Sequence, residues 1–103
     1  MTFADCTTFE DRTAASAARV VAFNGFAYSP KCIRIKAGQA VEIPASTTHP
    51  LRAALQANNP IPAGPSTGAQ TVTFPAAGLF GYWCANHGGV TGTGMAAAID
   101  VVP

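Results

Sequence analysis

Short apolar runs separated by turn residues recur along the whole chain. Between residues 32 and 36, isoleucines alternate with charged or thiol side chains, and this period of two predicts a strand with one buried face. Comparable runs predict further strands over residues 19–28 (interrupted at Asn24-Gly25), 39–43, 70–74, 79–84 and 95–102. Roughly six or seven short strands with turn signals between them favour an all-β sandwich. Residues 1–17 show no clear period and are predicted to be irregular or partly helical.

The longest stretch without a clear period runs from residue 44 to residue 69. It is rich in Pro, Gly, Ala and Asn, and Pro60, Pro62 and Pro65 can neither donate to a strand ladder nor continue a helix. We therefore predict a long surface connection here, with one helical turn near residues 51–57.

Composition indicates a small globular domain and excludes several classes of partner. The length of 103 residues fits one domain, residues 1–103, in which residues 1–18 form an N-terminal extension. A net charge of +1 without any basic run gives no reason to expect nucleic acid as a partner. No apolar stretch approaches the roughly 20 residues that a transmembrane helix needs. We expect a soluble monomer.

Residues with soft metal-binding atoms are concentrated near the C-terminus. Cys84, His87 and Met95 stand within one predicted strand-to-strand turn, and His49 can supply a fourth donor. Two histidines, one cysteine and a weak axial methionine form the ligand set of blue-copper sites. Several glycines between His87 and Met95 allow the sharp turns that a chain returning to one ion requires. The alternative is that these residues bind no metal: the cysteine and the methionine would be buried core residues, and the histidine would be an ordinary loop residue.

The other two cysteines, Cys6 and Cys32, form a predicted disulfide. The alternation around Cys32 places it on the outer face with Arg34 and Lys36, and an exposed cysteine is unusual unless it is bonded. Such a bridge would tie the N-terminal extension across the outside of the sheet, and it implies an oxidising compartment, the periplasm or the cell exterior. No leader peptide is visible in this sequence, and if the protein is exported we expect its leader to have been cleaved. Two unpaired thiols in a cytosolic protein are the alternative.

The order of these motifs resembles that of the cupredoxins, nearest to the plastocyanin and pseudoazurin branch, over residues 19–103. The resemblance rests on Tyr28-Ser29-Pro30, Ile33 through Val41, His49-Pro50, Gly78 through His87, and Gly94-Met95. It implies a Greek-key β-sandwich of about seven to eight strands with copper at one end. It also implies that His49, Cys84 and His87 are equatorial copper ligands and that Met95 is the weak axial ligand.

The resemblance further implies where electrons leave the protein. In cupredoxins the second histidine ligand reaches the surface among apolar residues. Here that histidine is His87, and its expected surroundings are Pro50, Leu51, Gly88, Gly89 and Val90. Trp83 would offer a second, longer route. The alternative for Trp83 is a packing role on the outer face of the sheet or beneath the N-terminal extension.

Two features depart from the family pattern. Seven residues separate His87 from Met95, more than plastocyanin-like loops usually have, and the extra length could weaken the axial bond. Pro50 stands where relatives commonly have Asn, and proline has no N–H to offer the cysteine sulfur. We hypothesise that the backbone N–H of Asn86 serves the sulfur instead and so helps to tune the reduction potential.

The sequence thus predicts a small electron-transfer protein that cycles one type 1 copper between Cu(I) and Cu(II) for transient redox protein partners. Four ligands leave no open position for a substrate, so we expect no enzyme activity. A copper carrier or buffer without a redox role is an alternative, and so is a metal-free adhesion module. A copper enzyme domain would need a second cysteine in the ligand loop or His-x-His pairs, and the sequence has neither. Zinc could also occupy the site in a purified sample, since Cys and His suit that ion as well.

Overall fold

The chain folds into strands and connecting loops. The computed structural model describes residues 2–103, in which nine strands and no helix form. In chain order the strands are β1 (Glu10–Asp11), β2 (Ala22–Phe23), β3 (Tyr28–Ser29), β4 (Cys32–Lys36), β5 (Ala40–Ile43), β6 (Leu51–Ala53), β7 (Gln70–Thr73), β8 (Gly78–Gly88) and β9 (Gly94–Val102). The predicted all-β fold is confirmed. Residues 2–103 hold no helix with the length and apolar character needed to cross a membrane.

A five-stranded sheet with the strand order β1-β4-β9-β8-β6 is the larger of the sheets. Its central strand, β9, runs parallel to β4 and antiparallel to β8. Two ribbons, β2-β3 and β5-β7, complete the fold, and a bridge between Val20 and Glu42 joins the segment before β2 to β5. Residues 95–99 of β9 are all buried, as expected of a central strand that is covered on both faces.

Two apolar clusters lie on opposite faces of the five-stranded sheet. The odd-numbered residues 95–101 of β9 belong to the main core, whereas Ala96 and Ala98 belong to a second cluster. This division follows from the strand itself, because successive side chains point to opposite faces. On β4 the same alternation buries Ile33 and Ile35 in the main core and turns Cys32 to the second cluster, as predicted.

The second cluster forms where the N-terminal segment covers the outer face of the sheet. A disulfide joins Cys6 to Cys32, 26 residues further along the chain, and confirms the predicted bridge. The ring of Phe3 lies on the sheet at Gly81, where any Cβ would overlap it. Trp83 borders this cluster, in agreement with the packing alternative for that residue.

One prediction about local structure is wrong, and another needs an addition. The helical turn expected over residues 51–57 is replaced by β6, which pairs antiparallel with β8 and sets Leu51 opposite Cys84. β6 lies between Pro50 and Pro60 and contains no proline, so its N–H groups can join the ladder. The N-terminal extension is mostly irregular, as predicted, but residues 10 and 11 form β1, which pairs in parallel with β4. A strand of two residues is too short to show a period.

Candidate metal centre

Three potential metal ligands meet at the C-terminal end of β8. The Nδ1 atoms of His49 and His87 lie 3.2 Å apart, and each of them lies 3.6 Å from the sulfur of Cys84. Cys84 is fully buried and His49 is 9% exposed, whereas His87 is exposed. The group is therefore closed on the protein side and reaches solvent at His87.

The separations within this group fit a single ion bound to all three atoms. Metal–nitrogen bonds of about 2.0 Å and metal–sulfur bonds of about 2.3 Å allow a nitrogen and a sulfur on one ion to be at most about 4.3 Å apart. The measured separations are all shorter, and the point equidistant from the three atoms lies about 2.0 Å from each. The donor chemistry, one thiol and two imidazoles, suits copper.

An irregularity in β8 brings its two potential ligands to the same point. Trp83 pairs with Ala96 of β9, but the next paired residue of β8 is Gly88, which lies opposite Gly94. Five steps along β8 thus face two steps along β9, so the intervening residues bulge out of the ladder. In a regular strand, two residues three positions apart point to opposite faces, whereas the bulge lets Cys84 and His87 converge.

Beyond the bulge, a tight hairpin over residues 88–94 joins β8 to β9. Gly89 donates a backbone hydrogen bond of 2.9 Å to the carbonyl of Thr93. Gly94 has a φ of +65°, and a Cβ at Gly88 would overlap the carbonyl oxygen of Met95, so both positions require glycine. The long interval between the second histidine and the methionine, noted as a departure from the family pattern, is thus taken up by this hairpin.

Met95 opens the buried part of β9. Its side chain is 2% exposed and belongs to the same core cluster as Cys84. Its predicted role as axial ligand stays a prediction.

A short turn presents His49 to the site. The hydroxyl of Ser46 accepts a 3.0 Å hydrogen bond from the backbone N–H of His49, and the N–H of Ser46 donates to the His49 carbonyl at 3.1 Å. These two bonds close the turn between β5 and β6 and fix the backbone that carries the imidazole. Sequence analysis missed Ser46, because a serine in a polar loop carries no signal of such a role by itself.

Two hydrogen bonds join the loops that carry the ligands. The carbonyl of Pro50 accepts from the N–H of Ala85 at 2.9 Å, and the side-chain amide of Asn86 donates to the carbonyl of Thr48 at 3.0 Å. Pro50 and Asn86 are the two residues that sequence analysis discussed as neighbours of the cysteine sulfur, and these bonds give each of them a contact that holds one loop against the other. Donation from the Asn86 backbone N–H to the sulfur stays a prediction.

Two phenylalanines from the β2-β3 hairpin cover the imidazoles, and sequence analysis missed both. The ring centre of Phe23 lies 4.8 Å from that of His49, and the ring centre of Phe26 lies 4.6 Å from that of His87. Phe26 is 69% exposed although it is a large apolar residue. It follows the Asn24-Gly25 turn signal directly, and an aromatic residue at an exposed turn is a signal that could have identified it.

Two buried tyrosines, Tyr28 and Tyr82, lie behind the potential ligands. Their ring centres are 4.9 Å apart. Burial raises the pKa of Tyr82 well above its ordinary value, and the neighbouring Tyr28 adds to this shift. Burial also raises the pKa of Tyr28, with a smaller contribution from negative charge on Cys84. Both phenols therefore stay neutral at physiological pH, and the sulfur lies in a medium of low polarity.

The predicted surroundings of His87 need one correction. Leu51 does not line the surface, because it lies opposite Cys84 in the ladder and its side chain is fully buried in the main core. The other residues of the predicted surface are partly exposed: Pro50, Gly88, Gly89 and Val90.

Trp83 lies on the other side of the sheet from the ligands. Its indole N–H donates to the carbonyl of Ala53 at 3.3 Å, and the guanidinium of Arg52 lies 5.7 Å from its ring centre. Its proposed use as a second electron route stays a prediction.

Comparisons with known proteins bear on the fold. No protein-family model matches the chain, and no curated protein matches it in sequence. Among solved structures, the chain is similar to the Cu-containing nitrite reductase of Thermus scotoductus SA-01, with a TM-score of 0.59 and 20% sequence identity over 84% of this chain. This chain has the cupredoxin fold. The match covers 22% of the reductase chain, so most of that protein has no counterpart here.

The cupredoxin resemblance is thus confirmed at the level of the fold. Within that fold, the group formed by His49, Cys84 and His87 fits a type 1 copper site, because its donor set and its separations both suit one copper ion.

Proposed function

We propose that this protein is a one-electron carrier in which His49, Cys84 and His87 bind a single type 1 copper ion and Met95 supplies a weak axial ligand. The observation that carries the proposal is the convergence of two imidazole nitrogens and one sulfur within 3.6 Å of one another. Copper bound by such a set supplies reversible one-electron transfer between Cu(I) and Cu(II).

In this proposal the chain keeps its ligands in one arrangement throughout the cycle. Cys84 belongs to a paired strand and is enclosed by the main core, and His49 is held by its Ser46 turn beneath the ring of Phe23. Close packing of this kind resists displacement of side chains. Rigid ligands limit the change in copper geometry between Cu(I) and Cu(II). A smaller change lowers the barrier to electron transfer and so favours a fast rate.

His87 is the proposed exit for the electron. It is the exposed member of the ligand group, and the exposed ring of Phe26 lies against it. With a net charge of +1, the chain offers little long-range electrostatic steering, so partners would be met through a small apolar contact around this histidine. Small contact areas suit transient redox encounters.

The burial of the ligands favours electron transfer over copper delivery. A carrier must pass its ion to another protein, which is easiest when the ligands are exposed and mobile. Here Cys84 is fully buried and His49 is 9% exposed, and hydrogen bonds between the ligand loops restrain both. A carrier or buffer is therefore the second candidate.

We propose no catalytic activity for this chain by itself. The reductase of similar fold is a copper enzyme, but this chain corresponds to 22% of it. Three equatorial ligands and Met95 would leave no coordination position for a substrate.

An oxidising compartment, the periplasm or the cell exterior, is part of the proposal. The Cys6–Cys32 disulfide supports it, because such bonds persist where thiols are not kept reduced. We propose that the chain works there as a monomer that meets its redox partners transiently.

Copper addition followed by visible spectroscopy and voltammetry tests the proposed function. Cu(II) should produce the intense absorption band of a copper–thiolate bond, saturating at a single ion per chain, together with a reversible one-electron wave. Cys84→Ser and His49→Ala should each abolish the band. The double variant Cys6→Ser with Cys32→Ser is the matched control, because it removes the other two sulfur atoms and should keep the band.

A colourless protein after copper addition and oxidation would contradict the proposal, as would a band that survives Cys84→Ser. A blue protein without a reversible wave would favour the carrier.

A further inference from the structure

A cavity of about 550 Å³ lies beside Trp83, on the side of the sheet that faces away from the ligand sulfur. Its lining comes from β6, the loop after β6, β8 and the 88–94 hairpin, and includes Arg52, Ala54, Leu55, Ile61, Trp83 and Val90. None of the predicted metal ligands lines it. Its volume falls in the range of about 300–1,000 Å³ that is typical of small-molecule sites.

Side-chain amides hold the loop that forms one wall of this cavity. Gln56 accepts a 2.7 Å hydrogen bond from the N–H of Gly81, and Asn59 donates to the carbonyl of Gly81 at 3.0 Å. The N–H of Ala54 donates to the same carbonyl at 2.9 Å. The wall is thus anchored to β8 before any ligand arrives, and a preformed cavity loses little entropy on binding.

Arg52 is the charged residue of the lining, and its charge is available. The ring of Trp83 holds its guanidinium in place at 5.7 Å. Arg34 has a similar arrangement over Phe9 at 5.6 Å, but it also pairs with Asp100 at 2.8 Å. Among the side chains of residues 2–103, no carboxylate lies within salt-bridge distance of Arg52.

We propose that this cavity binds a small organic anion that consists of an apolar body and a carboxylate. The body would lie against Ala54, Ile61 and Val90, and the carboxylate would accept hydrogen bonds from the guanidinium of Arg52, whose planar fork matches it. Leu55 is 88% exposed at this cavity, and a bound ligand would remove part of its side chain from water. The proposal is independent of copper and of the proposed electron transfer.

Calorimetric titration of the copper-loaded chain with 2-naphthoate and with octanoate tests this site, and the two ligands distinguish an aromatic from an aliphatic body. Uncharged 2-naphthamide is the ligand control. We expect saturable binding at a single site by at least one anion. Arg52→Gln should weaken that binding at least about tenfold, because a charge-assisted pair is lost. Arg34→Gln is the matched control and should leave it unchanged.

The indole N–H of Trp83 gives a second, site-specific readout. The chain has a single tryptophan, so one indole signal is expected in a nitrogen–proton spectrum of the reduced protein. That signal should shift on titration with the anion that binds. If the protein takes up no copper, the same titration of the metal-free chain still tests anion binding. Failure of this proposal is therefore distinguishable from failure of the proposed function.

Three results would overturn the proposal. They are the absence of saturable binding by both anions, equal affinity for 2-naphthamide and 2-naphthoate, and unchanged anion affinity in Arg52→Gln.

Discussion

Gly88 is the residue at which β8 rejoins β9 after the ligand bulge, and replacing it with alanine should damage both stability and metal binding. The added Cβ would overlap the carbonyl oxygen of Met95, and it would lie 3.0 Å from the carbonyl carbon of Met95 and 3.3 Å from the backbone nitrogen of Cys84. All of these atoms belong to the backbone, so no side-chain rotation can relieve the contact. The two strands must separate by about 1 Å to reach an ordinary van der Waals distance.

Overpacking of this kind costs about 1–3 kcal/mol, and we expect the upper end because backbone has to move. With a urea dependence of about 1.5 kcal/mol per molar, a loss of that size lowers the unfolding midpoint by about 2 M. His87 directly precedes Gly88, so the same displacement moves its Nδ1 relative to the Cys84 sulfur. Copper affinity should therefore fall at least about tenfold, which is the usual effect of disturbing the support of a metal ligand.

Gly68→Ala is the matched control for this substitution. A Cβ at Gly68 would have no atom within 4 Å, so the variant should be as stable as the wild type or gain about 0.5 kcal/mol from a less flexible unfolded chain. Urea unfolding followed by tryptophan fluorescence measures the stability of both variants, and competition with a chelator measures their copper affinity. If Gly88→Ala matches Gly68→Ala in both measurements, close approach of the strands does not hold the ligands, and the reasoning is wrong.

Three further predictions concern other parts of the chain. Replacing Cys6 and Cys32 together with serine should lower the free energy of unfolding by about 3.5 kcal/mol, given their sequence separation of 26; a loss below about 1 kcal/mol in urea unfolding would contradict this. Phe26→Ala should change that free energy by less than about 1 kcal/mol, because the ring is 69% exposed. The same variant should alter the rate of electron exchange with a small inorganic complex in stopped-flow measurements, and an unchanged rate would show that the ring does not cover the exit. The pKa of Asp11 should lie below its ordinary value of 3.8, because the hydroxyl and then the N–H of Thr13 donate to the carboxylate. The stabilisation from these bonds is present above pH 3.8 and disappears as pH falls through the lowered pKa, so Thr13→Val should raise that pKa in an NMR titration.

Where a strand is long and has one buried face, sequence and structure agree. The isoleucines of β4 face the main core as their period predicts, and Cys32 faces the extension to which it is bonded. The short strand β6 was not predicted. Its three residues form no period, and they are placed by pairing with β8. Short strands depend on the neighbour that they bind, and the sequence around them does not record that neighbour.

The candidate site divides in the same way. Residue chemistry pointed to Cys84 and His87, and the resemblance to cupredoxins in the order of the motifs assigned His49 to the same site. The exposed turn could have marked Phe26 as an unusual surface aromatic residue. That the rings of Phe23 and Phe26 lie over the imidazoles could not be predicted, because the hairpin that carries them is distant from the ligands in the chain.

Sequence by itself determined which side chains can bind a metal and which strands bury one face, because donor atoms and the alternation of a strand are local properties. Tertiary structure alone decided that Leu51 is buried, that a bulge turns Cys84 and His87 toward the same point, and that Arg52 keeps its charge beside an open cavity. These outcomes depend on which segments meet across the sheet. That choice is made by packing of the whole chain, since a contact between distant residues forms only when many others form with it.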